Sequence, residues 1–137
     1  MLQYEYFKEK VHMLNLNSVM LNSGDYELLA SFYGEVLQKT EPDMVDKDHN
    51  VIGYLAGGTF MSICSHDKVS GKSQNPERII LFFETTEVQA EFDRIKAIEG
   101  SEVIAEPYSP DGQGKFYIAT LADPDGNYFQ LVTPWDA

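Results

Sequence analysis

Nucleophile and base types come closest together at Cys64 and His66, with Asp67 next in the chain. A thiol becomes a nucleophile only when a nearby base or cation lowers its pKa, and His66-Asp67 has the composition of an acid-base or metal-holding pair. Residues two apart on a strand share a face without necessarily touching, so the competing reading is a buried, inert cysteine and a histidine that ends a strand. Arg78 is the strongest recognition group. Its guanidinium could take a carboxylate or other anion in two parallel hydrogen bonds, or it could lie exposed beside one of the many acidic side chains. Gln130 could donate and accept hydrogen bonds to a ligand, or serve as a buried amide satisfied by its neighbours. The Gly-rich stretch Ser109-Pro110-Asp111-Gly112-Gln113-Gly114-Lys115 lacks the strand-to-helix setting of a phosphate loop and reads as a hairpin. Tyr108, Phe116 and Tyr117 flank it and could stack on a planar ligand, or pack as ordinary strand residues. His12 and His49 have no partner pattern and are expected to be exposed.

The chain that must position these groups has 137 residues, 43% of them hydrophobic, which suits one globular domain with a sizeable core. Its 10 Lys+Arg against 22 Asp+Glu give a formal charge of -12, which argues against nucleic acid as a partner. The same charge favours a cationic ligand, and it also serves simple solubility. No apolar run approaches the roughly 20 residues of a membrane span. Met1 to Tyr6 mixes charge with aromatics and lacks the apolar core of a signal peptide, so a cytoplasmic location is expected. One cysteine excludes an internal disulfide and agrees with a reducing compartment.

Elements follow from periodicity. Val19 to Leu21 reads as a strand, Asp25 as an N-cap, and Leu28, Leu29, Phe32, Val36 and Leu37 as one helix face that must end before Pro42. Val51 to Ser65 reads as strands around Gly57-Gly58. The second half repeats the pattern. Ile79 to Phe83 is an apolar strand, and Thr86 with Gln89 matches a capping box. Val88, Phe92, Ile95 and Ile98 form a helix face with Gly100 as its stop. Val103-Ile104, Phe116 to Leu121 and Tyr128 to Val132 are strands, the last two joined by an Asp123-Pro124-Asp125-Gly126 turn. The predicted organisation is an α+β fold of two βαβββ modules, the first about 12–66 and the second about 77–134, with a polar linker about 67–76. One helix covers only one face of each sheet, so the open faces are expected to curl around a cleft. Alternation then turns Ser18, Met20, Asn22, Arg78, Ile80, Phe82, Tyr128, Gln130 and Val132 toward that cleft. Pro134-Trp135 is expected to cover an edge or a partner subunit.

The chain resembles the vicinal oxygen chelate superfamily, which includes glyoxalase I, bleomycin-resistance proteins and extradiol dioxygenases. The resemblance runs from about Asn15 to Pro134. It rests on Asn17-Ser18-Val19-Met20-Leu21 leading to Asp25, on Ser31-Phe32-Tyr33 with Val36-Leu37, and on Asp123 through Leu131. It implies paired βαβββ modules in a cupped mixed sheet, and a homodimer whose cleft lies either within one chain or across the interface. In metal-dependent members four positions hold a divalent ion. The resemblance carries these to Ser18, to Arg78, to Gln130 and to a late strand within Thr59 to Ser65, where Ser62 and Cys64 are the candidates. Such ions want carboxylate and imidazole ligands, and an arginine cannot donate a lone pair. No cofactor is therefore expected, a divalent metal is disfavoured, and glyoxalase I or dioxygenase activity is placed in doubt.

The expected function is metal-free binding of a small molecule in a cleft drawn from Ser18, Met20, Asn22, Cys64, Arg78, Phe82, Tyr117, Tyr128 and Gln130. The alternatives are a glyoxalase-type lyase or isomerase, or another enzyme of this superfamily, using a metal or non-metal polar residues, and a regulatory or partner-binding domain without chemistry.

Overall fold

Short alternating and apolar runs separated by Gly- and Asp-containing turns become eight strands and two helices in the computed structural model, which describes residues 14–135. His12 and the start of the expected first module lie outside those residues. The first module is β1 (Ser18–Ser23), α1 (Tyr26–Val36), β2 (Met44–Asp46), β3 (Val51–Ala56) and β4 (Thr59–Ser65). The second is β5 (Leu81–Glu84), α2 (Val88–Lys96), β6 (Glu102–Tyr108), β7 (Ile118–Ala122) and β8 (Tyr128–Val132). The α+β class and the tandem βαβββ modules stand as the periodicity implied. The strands form two hydrogen-bonded sheets of four, ordered β1-β4-β3-β2 and β5-β8-β7-β6. In each, the first strand lies parallel to the last and the other pairs are antiparallel.

Helix α1 starts where its sequence says it should. Asp25 accepts a hydrogen bond from the Leu28 N–H at 3.2 Å, satisfying one of the donors a helix start leaves open. Helix α2 departs from the expected capping box. Its N-cap is Glu87, with no side-chain cap, while Thr85 rather than Thr86 accepts from the Glu87 N–H at 3.0 Å. It ends at Lys96, so Gly100 (φ +94°) lies in the following turn rather than at the helix stop. Strand β2 lies ahead of the Val51 to Ser65 segment expected to hold the strands of the first module after its helix, and β5 begins at Leu81 rather than Ile79. Ile79 is 74% exposed, outside the core it was expected to join.

The helix-covered faces of both sheets contribute to one core. Leu29, Phe32 and Tyr33 from α1 meet Met61 and Ile63 from β4, and the same cluster includes Phe92 and Ile95 from α2 and Phe129 and Leu131 from β8. Aromatic edges knit the modules, Phe32 to Phe129 at 6.0 Å and Tyr33 to Phe129 at 5.8 Å between ring centroids, and within the second module Phe83 meets Phe129 at 5.9 Å. Two polar contacts join the same seam. The Tyr33 hydroxyl donates to the buried Asp123 carboxylate at 2.7 Å. Arg94 on α2 donates to the Glu35 and Val36 carbonyls at 3.0 and 2.8 Å, which places a cation on the C-terminal end of α1.

Asp123 also builds the turn before β8. Its Oδ1 accepts from the Asp125 and Asn127 N–H groups at 2.9 and 3.0 Å, and the Asn127 amide reaches both carboxylate oxygens. Gly126, at φ +79°, takes the left-handed conformation that closes this turn. Burial pushes the Asp123 carboxyl above its ordinary 3.8 against the downward pull of the Tyr33 and Asn127 hydrogen bonds. Burial, and then the nearby carboxylate, hold the Tyr33 phenol well above its ordinary range.

Candidate functional site

Strand alternation determines which side chains leave the core. In the first sheet Val19 and Leu21 pack against the core, so Ser18, Met20 and Asn22 lie on the opposite, open face. Their Cα partners on β4 are Phe60, Ser62 and Cys64. In the second sheet Leu81 and Phe83 pack inward, so Phe82 and Glu84 lie on the open face beside Tyr128, Gln130 and Val132 of β8. A row Phe82, Gln130, Thr120 crosses three strands there.

The side chains on these faces hold themselves. Gln130 donates its amide to the Thr120 hydroxyl at 3.2 Å, and Ser18 donates to the Asn17 side chain at 2.9 Å. Cys64 is buried on its strand, and desolvation raises its thiol above the ordinary 9.0. A base is not in place to lower it. The His66 Nδ1 accepts from the Lys68 N–H at 3.1 Å and lies 3.3 Å from Asp67, both in the turn beyond the strand. His49 is likewise committed, 2.9 Å from Asp46.

Arg78 departs from its expected position. It precedes β5 in an exposed turn, its N–H donating to the Asn75 carbonyl at 3.0 Å, and the Cα partners of Gln130 are Phe82 and Thr120. Two residues with no strand pairing, Ile79 and Ile80, separate it from Leu81, where β5 begins, so the earlier strand start expected at Ile79 fails. Tyr117 is pinned just before β7, with its N–H donating to the Thr133 hydroxyl at 3.0 Å. The Ser109–Lys115 loop closes on itself. Asp111 accepts from the Ser109 hydroxyl and the Gln113 N–H at 3.0 and 2.9 Å, and Ser109 accepts from the Gly114 N–H at 3.0 Å.

The main crevices among the described residues do not gather the candidate residues. Crevices of about 370, 440 and 310 Å³ draw in Phe82, Tyr117 and Arg78 respectively. None of the three is lined by Ser18, Met20, Asn22, Cys64, Tyr128 or Gln130. Instead both open sheet faces carry apolar side chains into solvent: Met20 is 63% exposed, Leu55 49% and Phe82 49%. Trp135 lies over this edge of the second sheet, stacked on Phe116 at 5.0 Å and 6.4 Å from Phe82. Thr120 and Glu84 were missed as open-face residues. Extending the period of two by one more step from Phe82 finds Glu84, whereas Thr120 follows only from the β7–β8 register.

The donor chemistry does not suit a divalent metal. The positions matched to metal ligands hold a hydroxyl at Ser18, a hydroxyl or a buried thiol at Ser62 or Cys64, and a neutral amide at Gln130, while Arg78 lies elsewhere. Among the described residues no group of three or more His, Cys, Asp or Glu side chains could hold an ion. Among them, too, no helix is long and apolar enough to cross a membrane.

Two four-stranded mixed sheets, each with one helix and an open face, define the class. Residues 18–132 match the glyoxalase-like domain, and the chain belongs to that family. It is similar in structure to a glyoxalase-related enzyme from Fulvimarina pelagi, with 22% identity over 89% of each chain and a TM-score of 0.68. A glyoxalase/bleomycin resistance protein from Albidiferax ferrireducens T118 matches at 22% identity over 86% of this chain and 97% of its own, with a TM-score of 0.67. A genomically encoded fosfomycin resistance protein from Listeria monocytogenes matches at 22% identity over 89% and 92%, with a TM-score of 0.64. No curated protein matches the chain in sequence.

Proposed function

We propose that this chain is a cytoplasmic small-molecule-binding protein that works as a homodimer and without a resident metal. The observation that carries the reading is the chemistry of the open faces. A hydroxyl at Ser18, an amide at Gln130 and either the Ser62 hydroxyl or the buried Cys64 thiol stand where metal-dependent members of the superfamily need carboxylate or imidazole, and each of Ser18 and Gln130 is already hydrogen-bonded to a neighbour. Such groups recognise a ligand by hydrogen bonding, and Phe82, Tyr128 and Trp135 supply apolar contact. The exposed Met20, Leu55 and Phe82 support the dimer, because a second copy laid across these faces would bury them and close a cleft that one chain leaves open. The buried single cysteine suits a reducing compartment.

Metal analysis of native protein together with sedimentation equilibrium tests both parts. Substoichiometric Zn, Ni, Mn and Fe and a dimer mass are expected. Stoichiometric metal that is lost on Gln130→Ala would overturn the metal-free reading in favour of a metal-dependent enzyme. A thermal-shift screen of metabolites and cationic antibiotics then finds the ligand, since one present at 100-fold its dissociation constant stabilises by roughly 2.7 kcal/mol.

A further inference from the structure

We infer that the crevice between the two modules, at the rim of the second sheet's open face where Phe82 and Glu84 stand, is a binding site for a small organic cation with an aromatic or apolar body. The crevice encloses about 370 Å³ where the end of α1 and the Gly57-Gly58 turn approach β5 and α2. That volume is at the small end of the range for small-molecule sites, which suits a single ring with a short charged arm. Val36, Phe83, Ile95 and Leu131 provide apolar lining, while Phe82 and Glu84 stand at the β5 side.

The charges decide the ligand class. Three ionisable side chains line the crevice: Glu84, Glu91 and Arg94. Each nitrogen of Arg94 already makes a hydrogen bond. Its Nε donates to Glu91 at 2.6 Å, and its Nη atoms donate to the Glu35 and Val36 carbonyls. Glu84 is exposed and takes part in none of the ion pairs among the described residues. The crevice thus carries one uncompensated negative charge beside a half-exposed aromatic ring, within a chain of formal charge -12. An ammonium or amidinium group placed there gains Glu84 as a partner and the face of Phe82 as a cation–π contact. An anion meets a net negative lining whose one cation, Arg94, is paired with Glu91, and a neutral ring gains the apolar wall alone.

The test is a titration of the full-length, 15N-labelled protein at low salt with 2-phenylethylammonium, 2-phenylethanol and phenylacetate. Shifts of the Gln38, Gly58 and Thr85 amides, which line the crevice, report occupancy. The ammonium is expected to bind about fivefold tighter than the alcohol, the equivalent of ~1 kcal/mol for one partly exposed ion pair. Phenylacetate is expected not to bind. Glu84→Gln, on an exposed side chain and with its fold checked from the same spectra, should erase the ammonium's advantage over the alcohol. Equal binding of the alcohol, binding of phenylacetate, unchanged affinity in Glu84→Gln, or shifts confined to the Met20 and Gln130 regions would each overturn the inference. Because metal content and dimer mass do not enter this readout, its failure leaves the proposed function standing, and the reverse also holds.

Discussion

Tyr33→Phe removes one oxygen from the centre of the molecule and nothing else. The phenol donates at 2.7 Å to a carboxylate that is 1% exposed, and it does so across 90 residues of chain, from α1 to the turn before β8. The ring itself stays, so its contacts with Phe32, Phe83 and Phe129 survive the change. Hydrogen bonds to a charged group contribute about 1.5–3 kcal/mol, and Asp123 keeps its other donors from Asp125 and Asn127. The expected loss at neutral pH is therefore about 2 kcal/mol, without change in the denaturant slope. The sign of the pH dependence is determined by linkage. Asp123 in the folded state sits above its ordinary 3.8, so its contribution is greatest at low pH and declines as pH rises through the folded value. The Tyr33 hydroxyl pulls that value down. Removing it raises the folded pKa further, so the variant loses stability more steeply with rising pH, and the gap between the two proteins widens from acid to neutral conditions. Urea melts of both proteins at fixed protein concentration, in steps between mildly acid and neutral pH, measure this directly. A neutral-pH difference below about 0.5 kcal/mol, or a gap that narrows as pH rises, would refute the assignment of Asp123 as a buried carboxylate held by Tyr33.

Other perturbations separate local from tertiary effects. Arg94→Met keeps an apolar stem but removes the donors at the end of α1, and should lower stability by about 1.5–3 kcal/mol in urea melts. Gly34→Ala should destabilise although alanine is the better helix former by ~1 kcal/mol, because the added Cβ would lie 2.6 Å from the Tyr54 hydroxyl, which donates to the Ala30 carbonyl. A rise in Tm would contradict that packing. Met20→Asp, on an open face, should split the proposed dimer in sedimentation while leaving the far-ultraviolet circular dichroism of the chain unchanged. Cys64 should resist alkylation by iodoacetamide at neutral pH and react fully only in denaturant, since burial both covers the thiol and raises its pKa.

The local pattern of the chain was sufficient for its elements and its class. Apolar spacing marked α1 and its Asp25 cap, the alternation around Gly57-Gly58 marked β3 and β4, and Tyr128 to Val132 was read at the bounds it has. These are consequences of periods and turn chemistry that operate within a few residues. The same alternation correctly turned Ser18, Met20, Asn22, Phe82 and Gln130 away from the core, because in-out direction on a strand depends only on neighbours along the chain. Tertiary structure decided the rest. Whether Thr86 or Glu87 caps α2, and whether β5 starts at Ile79 or Leu81, depends on what the strand pairs with: β8 offers partners only to Leu81 through Glu84. Arg78 therefore falls outside the sheet despite sitting in an apolar run. The Tyr33–Asp123 and Arg94–α1 contacts join residues 90 and 58 or 59 positions apart. No local period encodes such separations, and they arise because the two modules share one core. That shared core is also what leaves both polar-and-apolar sheet faces open and divides the candidate residues among separate surfaces, a partition that follows from how the modules pack rather than from any motif along the chain.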